Sequence, residues 1–208
     1  MIRPTESRKD WSFFAEAIGD VTIPSDKETR LEVSPNVVFD PKVFSTFEAD
    51  SLSELVWVGS RRTSDAAMIH LQHLTGLKGL ALWETNIGDE TLRALRHLSN
   101  LQWLDIGDTK VTDTGLAYLN ELSALQELTL LNNTITDNGL IHLQSLSKLK
   151  RLDLMKTLLT DQGAEELSKM NQLKSLRIFN TLITENGYWE LKRVLVGCRI
   201  CYYHPHHE

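Results

Sequence analysis

Cysteine is scarce in this chain. There are two in 208 residues, Cys198 and Cys201, close together near the end. They give no disulfide framework and fit a reducing compartment. Long apolar runs are missing too. No stretch approaches the roughly 18 apolar residues that read as a membrane-crossing helix, so no membrane contact is expected. The opening Met1-Ile2-Arg3-Pro4-Thr5-Glu6-Ser7 has no apolar centre and does not read as a secretory signal, which makes the cytoplasm the expected location. Positive charge is in deficit: 22 Lys and Arg stand against 28 Asp and Glu, a formal charge of −6. Binders of nucleic-acid backbones are usually basic, so no nucleic-acid partner is expected. Nor does either sign form a long run.

Catalytic patterns are equally absent. The sequence shows no nucleophile–base set, no phosphate-binding glycine loop and no H-E-x-x-H, and we read no enzyme and no cofactor from it. Cys198-x-x-Cys201 followed by His204, His206 and His207 has superficially suitable zinc spacing. The alternation of a strand, however, sends residues 198 and 201 to opposite faces, so no metal site is expected. His70, His73, His97 and His142 fall at outward or boundary helix positions and read as solvated surface.

What the chain does have is a period. Five 24-residue units begin at Leu77, Leu101, Leu125, Leu149 and Leu173 and follow one another without a gap. Each opens with L-x-x-L-x-[LI], as in Leu101/Leu104/Ile106, whose alternation is that of a half-buried strand. A polar residue comes next (Thr85, Thr109, Asn133, Thr157, Thr181), then an aliphatic one (Ile87, Val111, Ile135, Leu159, Ile183), then an acid (Asp89, Asp113, Asp137, Asp161, Glu185). Each unit closes with apolar residues at helical spacing, such as Leu116/Leu119/Leu122. The acid, or the Thr before it, is expected to cap the new helix. Gly115, Gly139, Gly163 and Gly187, in the first helical turn, are expected to serve close packing. The Thr/Asn position is expected to form a ladder satisfying backbone groups after each strand. One such unit cannot bury its own apolar side and must stack on its neighbours.

These motifs resemble the leucine-rich repeat family, in its bacterial form with T-x-[IVL]-T-D-x-G-L after the strand. The resemblance covers residues 77–196 strongly and 52–76 more weakly. It implies an α/β fold: a right-handed solenoid in a horseshoe arc, with a parallel β-sheet on the concave side and helices on the convex side. It also implies a protein-binding role and no catalytic residue. The closing Gly197-Cys198-Arg199-Ile200 resembles the last strand after such repeats, with Ile200 and Tyr202 inward.

Three regions follow. Residues 1–52 read as an N-terminal capping segment, with a short helix over Lys9–Gly19, β-like runs at Leu31–Val33 and Val37–Phe39, and a short helix over Pro41–Phe47 capped by Asp40. Residues 53–196 hold one degenerate and five regular units. Residues 197–208 are a capping strand and tail. In the degenerate unit, Val56 and Val58 are assigned inward, with Arg61 in the Thr/Asn place and Thr63 in the aliphatic place.

The informative residues are strand positions the repeat does not need. The third, fifth, seventh and eighth of each unit face the concave side. This register puts Trp57, Trp83 and Trp103 there, with Leu131, Met155 and Phe179 in one column as an apolar stripe. Exposed apolar groups on this scale usually mark an interaction site. Glu84, Asp105 and Asp108 lie early, and Arg151, Lys156 and Arg177 late, which would hold a partner of opposite polarity in register. The expectation is a protein partner held by Trp57, Trp83, Trp103, Asp105, Leu131, Arg151, Met155, Lys156, Arg177 and Phe179. The alternative is self-assembly, or regulation within a larger system, through the convex helices or the end caps.

Overall fold

The computed structural model describes residues 30–33 and 41–202. The helix expected over Lys9–Gly19, the run Val37–Phe39, the Asp40 cap and the histidines His204, His206 and His207 lie outside these residues.

Eight short strands form one parallel sheet in strict chain order: β1 (Arg30–Val33), β2 (Glu54–Trp57), β3 (Gly79–Ala81), β4 (Trp103–Asp105), β5 (Glu127–Thr129), β6 (Arg151–Asp153), β7 (Ser175–Arg177) and β8 (Arg199–Cys201). From β3 onward the sequence period is the pairing register, for Leu80, Leu104, Leu128, Leu152, Leu176 and Ile200 stand side by side. Parallel strands need a crossover between them, and the closing half of each unit supplies it. The crossovers at Asp89–Leu95, Asp161–Ser168 and Glu185–Val194 are α-helical, whereas Pro41–Thr46, Ala117–Glu121 and Asp137–Leu143 are 3-10. A 3-10 segment rises about 2.0 Å per residue against 1.5 Å for an α-helix, so a few residues suffice to return the chain. Leu77, Leu101, Leu125, Leu149 and Leu173 are buried together with the inward strand residues and the helix-face leucines in one continuous core. Ile200 and Tyr202 pack against its end, as expected.

The degenerate unit departs from the expected register. Leu55 pairs with Leu80, 25 residues on. Leu52, Leu55 and Trp57 are buried, and they supply the L-x-x-L-x pattern, with Trp in the third apolar place. Val56 and Val58 therefore do not point inward. A shift of one residue exchanges the two faces of a strand. The extra residue lies in the turn Ser60–Thr63, closed by the Thr63 N–H donating to the Ser60 carbonyl at 3.0 Å. Buried Ser60, not Arg61, takes the Thr/Asn place. The Asn86 amide donates to the Arg61 carbonyl and ties the inserted turn to the next unit.

Of the two candidate caps, the threonine serves and the recurring Asp does not. Thr112, Thr136 and Thr160 cap their own helical segments, each accepting from the amide two residues on. The Asp carboxylate bonds instead to the following unit. Asp113 accepts the Thr136 N–H at 2.9 Å and its hydroxyl at 2.5 Å. Asp89 does the same with Thr112, Asp137 with Thr160 and Asp161 with Thr184. Each carboxylate occupies the space beside the next unit's helical glycine: a side chain at Gly115, Gly139, Gly163 or Gly187 would collide with it. Where Thr91 replaces that glycine, its hydroxyl donates to Asp65 at 2.6 Å instead. Asn133 spans two units through its amide, donating to the carbonyls of Ile106 at 2.8 Å and Leu130 at 3.2 Å. The threonines of that column donate to the carbonyl three residues back, for example Thr157 to Leu154 at 2.6 Å. Two histidines are not free surface: His70 Nδ1 meets Ser45 Oγ at 2.9 Å, and His73 Nε2 donates to the Phe47 carbonyl at 3.0 Å.

Two outcomes are expected in thermal or urea unfolding. Gly139→Ala should cost about 1–3 kcal/mol by overpacking, and the loss should be less than additive with Asp113→Ala, since one carboxylate underlies both effects. Additive losses would show that the two residues do not share a site. Thr63, 2% exposed, has a buried hydroxyl with no hydrogen-bond partner among the described residues, in the place where other units carry an aliphatic side chain. Thr63→Val should stabilise by about 1–2 kcal/mol by removing it; a lower Tm would contradict this.

Candidate functional site

A sheet covered by helices on one side presents its other face, here the concave one of a solenoid, and among the described residues no element lies across it. Its composition follows from the register. The third column reads Gly79, Trp103, Glu127, Arg151, Ser175, and the fifth Ala81, Asp105, Thr129, Asp153, Arg177. Beyond the strands come a seventh column (Trp83, Gly107, Leu131, Met155, Phe179) and an eighth (Glu84, Asp108, Asn132, Lys156, Asn180). Every residue of the eighth column is left-handed, with φ between 53° and 57°, and Gly59 takes the same place at 71°. Such a turn costs a residue with a Cβ roughly 1–2 kcal/mol unless it is Asn or Asp. It recurs because it lets each amide reach the next unit: Asp108 N–H donates to the Leu131 carbonyl at 2.7 Å, and Lys156 N–H to Phe179 at 2.9 Å.

Nine of the ten expected site residues stand on this face; Trp57 does not. It is 4% exposed, with its ring 5.8 Å from that of Phe44 in the core. The shifted register removes it from the site and puts Glu54, Val56 and Val58 there, all half-buried. Trp83 and Trp103 are half-buried, and each lies on a glycine of the neighbouring unit. A side chain at Gly79 would collide with the Trp103 indole, and a Cβ at Gly107 would fall 2.9 Å from Trp83 Cδ1. Leu131 flanks Gly107 on its other side at 3.3 Å, so Trp83, Gly107 and Leu131 are continuous, and Met155 and Phe179 extend the column across β6 and β7.

The charges are less polar in effect than their order suggests. Arg151 pairs with Glu127 of the preceding strand, and Arg177 with Asp153 at 2.8 Å. Two of the three late cations are therefore already neutralised within the face. Arg61 reaches Glu84 at 3.6 Å, both side chains being exposed. Asp105 and Asp108 have no cationic partner among the described residues. Asp105 Oδ1 accepts the Gly107 N–H at 3.1 Å, the amide of the glycine beneath Trp83. Burial pushes the Asp105 carboxyl above the ordinary value, the Gly107 bond opposes this, and the charge of Asp153 adds to it. The internal ion pairs had a readable signal: Glu127 and Arg151, like Asp153 and Arg177, are 24 residues apart, which is the definition of a cross-strand neighbour here.

The two sulfurs near the end are placed differently. Cys198 is buried, and desolvation raises its thiol pKa, the opposite of an activated thiol. Cys201 pairs in register with Arg177 on the open side.

The Asp105 shift has a stability consequence of definite sign. A carboxyl whose pKa is higher folded than unfolded holds more protons in the folded state between the two values, so stability falls as pH rises through that window. Asp105→Asn keeps an acceptor for Gly107 and should raise Tm at neutral pH, with the gain vanishing as pH drops below the unfolded value of 3.8. A gain that is independent of pH would contradict the assignment.

No family model matches this chain, and no curated protein matches it in sequence. Solved structures do. Internalin C2 of Listeria monocytogenes superposes with a TM-score of 0.69 at 25% identity, over 84% of this chain and 71% of that one. A leucine-rich repeat protein of Leptospira interrogans gives 0.53 at 22% identity, over 73% of this chain and 37% of that one. A second Listeria monocytogenes internalin, inlF, gives 0.52 at 19% identity, over 74% of this chain and 55% of that one. Repeat, sheet and structural neighbours agree on the fold: an open α/β solenoid built of leucine-rich repeats of the bacterial-type 24-residue form.

Proposed function

We propose that this protein is a non-enzymatic interaction module that holds a protein partner on the open face of its sheet, working in the cytoplasm. The observation that carries the reading is the seventh column. Trp83, Leu131, Met155 and Phe179 are large apolar side chains left half-buried in one column over five units, with Gly107 between Trp83 and Leu131. The core does not require them, because each unit already fills its interior with its own leucines. Trp is among the commonest anchors of protein interfaces, and Phe and Met are enriched there. Strand spacing of about 4.8 Å makes the column a continuous strip.

A second reading has its own observation. The last unit exposes Leu182 (62%), Trp189 (57%) and Val196 (87%), an apolar end through which copies of the chain could associate. Mass that rises with concentration would favour it.

For the first reading, Trp83→Ala/Trp103→Ala should abolish capture of a partner from source lysate while circular dichroism stays unchanged, since both indoles lie outside the core. Equal capture by wild type and the double variant would overturn it.

A further inference from the structure

The residues around Gly107 define what kind of side chain the open face would receive. Trp83 lies against Gly107, whose N–H donates to Asp105 at 3.1 Å, so an indole and a carboxylate meet at one glycine. Trp103 stands two residues before Asp105 on the same face of β4, and Asp108 follows Gly107 directly. The apolar strip is thus bracketed at this end by acids, Asp105 on one side and Glu84 and Asp108 on the other. At the far end the bracketing charges are Lys156, and Arg151 and Arg177 already bound to Glu127 and Asp153. Among the described residues, the unmatched charges of the face are the carboxylates Asp105 and Asp108 beside the two indoles and the Lys156 ammonium at the far end.

We propose that the Trp83–Gly107–Asp105 end of the face seats a Lys or Arg side chain of the partner, so that the partner is a basic amphipathic segment lying across the strands with its apolar side chains on Leu131 and Met155. This rests on the reading given under Proposed function. A cation over an indole face gains from the ring quadrupole, and a carboxylate at its edge adds a charge-assisted hydrogen bond. Asp105 has its first oxygen held by Gly107, which fixes the carboxylate before the cation arrives. The opposite orientation would bring the partner's cation to Lys156 and leave Asp105 unmatched.

The test uses the full chain and a phage-displayed library of random peptides. Peptides selected on wild type should carry Lys or Arg at a fixed distance from large apolar residues. Their affinity should fall at least about tenfold with Asp105→Asn, weaken with added salt, and stay unchanged with Glu90→Gln on the convex side. Peptides that lose binding with Leu131→Ala/Met155→Ala yet show no basic enrichment, or do not respond to Asp105→Asn, would overturn the cation site and leave the open-face reading standing. Peptides indifferent to both sets of substitutions, or a selection that yields none, would overturn both.

Discussion

The carboxylate of the aspartate opening each helical segment bonds to the threonine of the following unit, and the rest of the structure depends on that reach. It satisfies an amide and a hydroxyl at a point where the next segment would otherwise leave donors open. At four junctions it needs empty space beside that segment, which glycine leaves, and at the first Thr91 fills that place with a hydroxyl that bonds to Asp65. The Asp, the Thr and the Gly of the repeat are therefore one device distributed over two units. Together with the leucines that fill the interior between neighbours and the parallel pairing of the strands, it makes each unit a surface for the next. Stability in such a molecule is a sum of nearest-neighbour contacts rather than the property of a single centre.

Because stacking uses the core, the strand backbones and the helical glycines, it leaves the open face of the sheet free to vary. The side chains there still answer to their neighbours. Two indoles lie on two glycines, and two arginines take the acids one strand back. Among the described residues, what remains unmatched is a strip of apolar groups, a pair of carboxylates, Asp105 and Asp108, beside the tryptophans, and Lys156 at the other end. The left-handed turn that ends every strand holds the eighth column at the rim of that strip, whether the residue is an Asn suited to it or a Lys that is not.

Much of this was legible in the chain. The 24-residue period gave the architecture and the regular register from β3 to β8, and the inward and outward alternation followed from it. The degenerate unit escapes the fixed period because it contains an inserted residue. Leu52 and Trp57 both fit the opening pattern, but only a 25-residue step brings them into line, and one step misplaces every side chain on the strand. The role of the aspartates was half visible. Recurrence marked them as structural, but an Asp can bond to its own helix or to the next one, and the choice depends on the depth of the glycine beside it. The face was legible as a set of columns. Its internal pairs do not show in the order of charges along the chain, because the relevant neighbours lie one period away.

The most direct measurement is site-specific crosslinking. A photoreactive side chain would replace Met155 on the open face or, in separate proteins, Ile141 on the convex side and Val196 at the end, the last two being 61% and 87% exposed. Each protein would be irradiated in source lysate. The account predicts one discrete protein adduct from position 155 and none of that size from 141 or 196. An adduct confined to 141 or 196, or one of twice the chain's own mass from 196, would contradict the open face as the binding site.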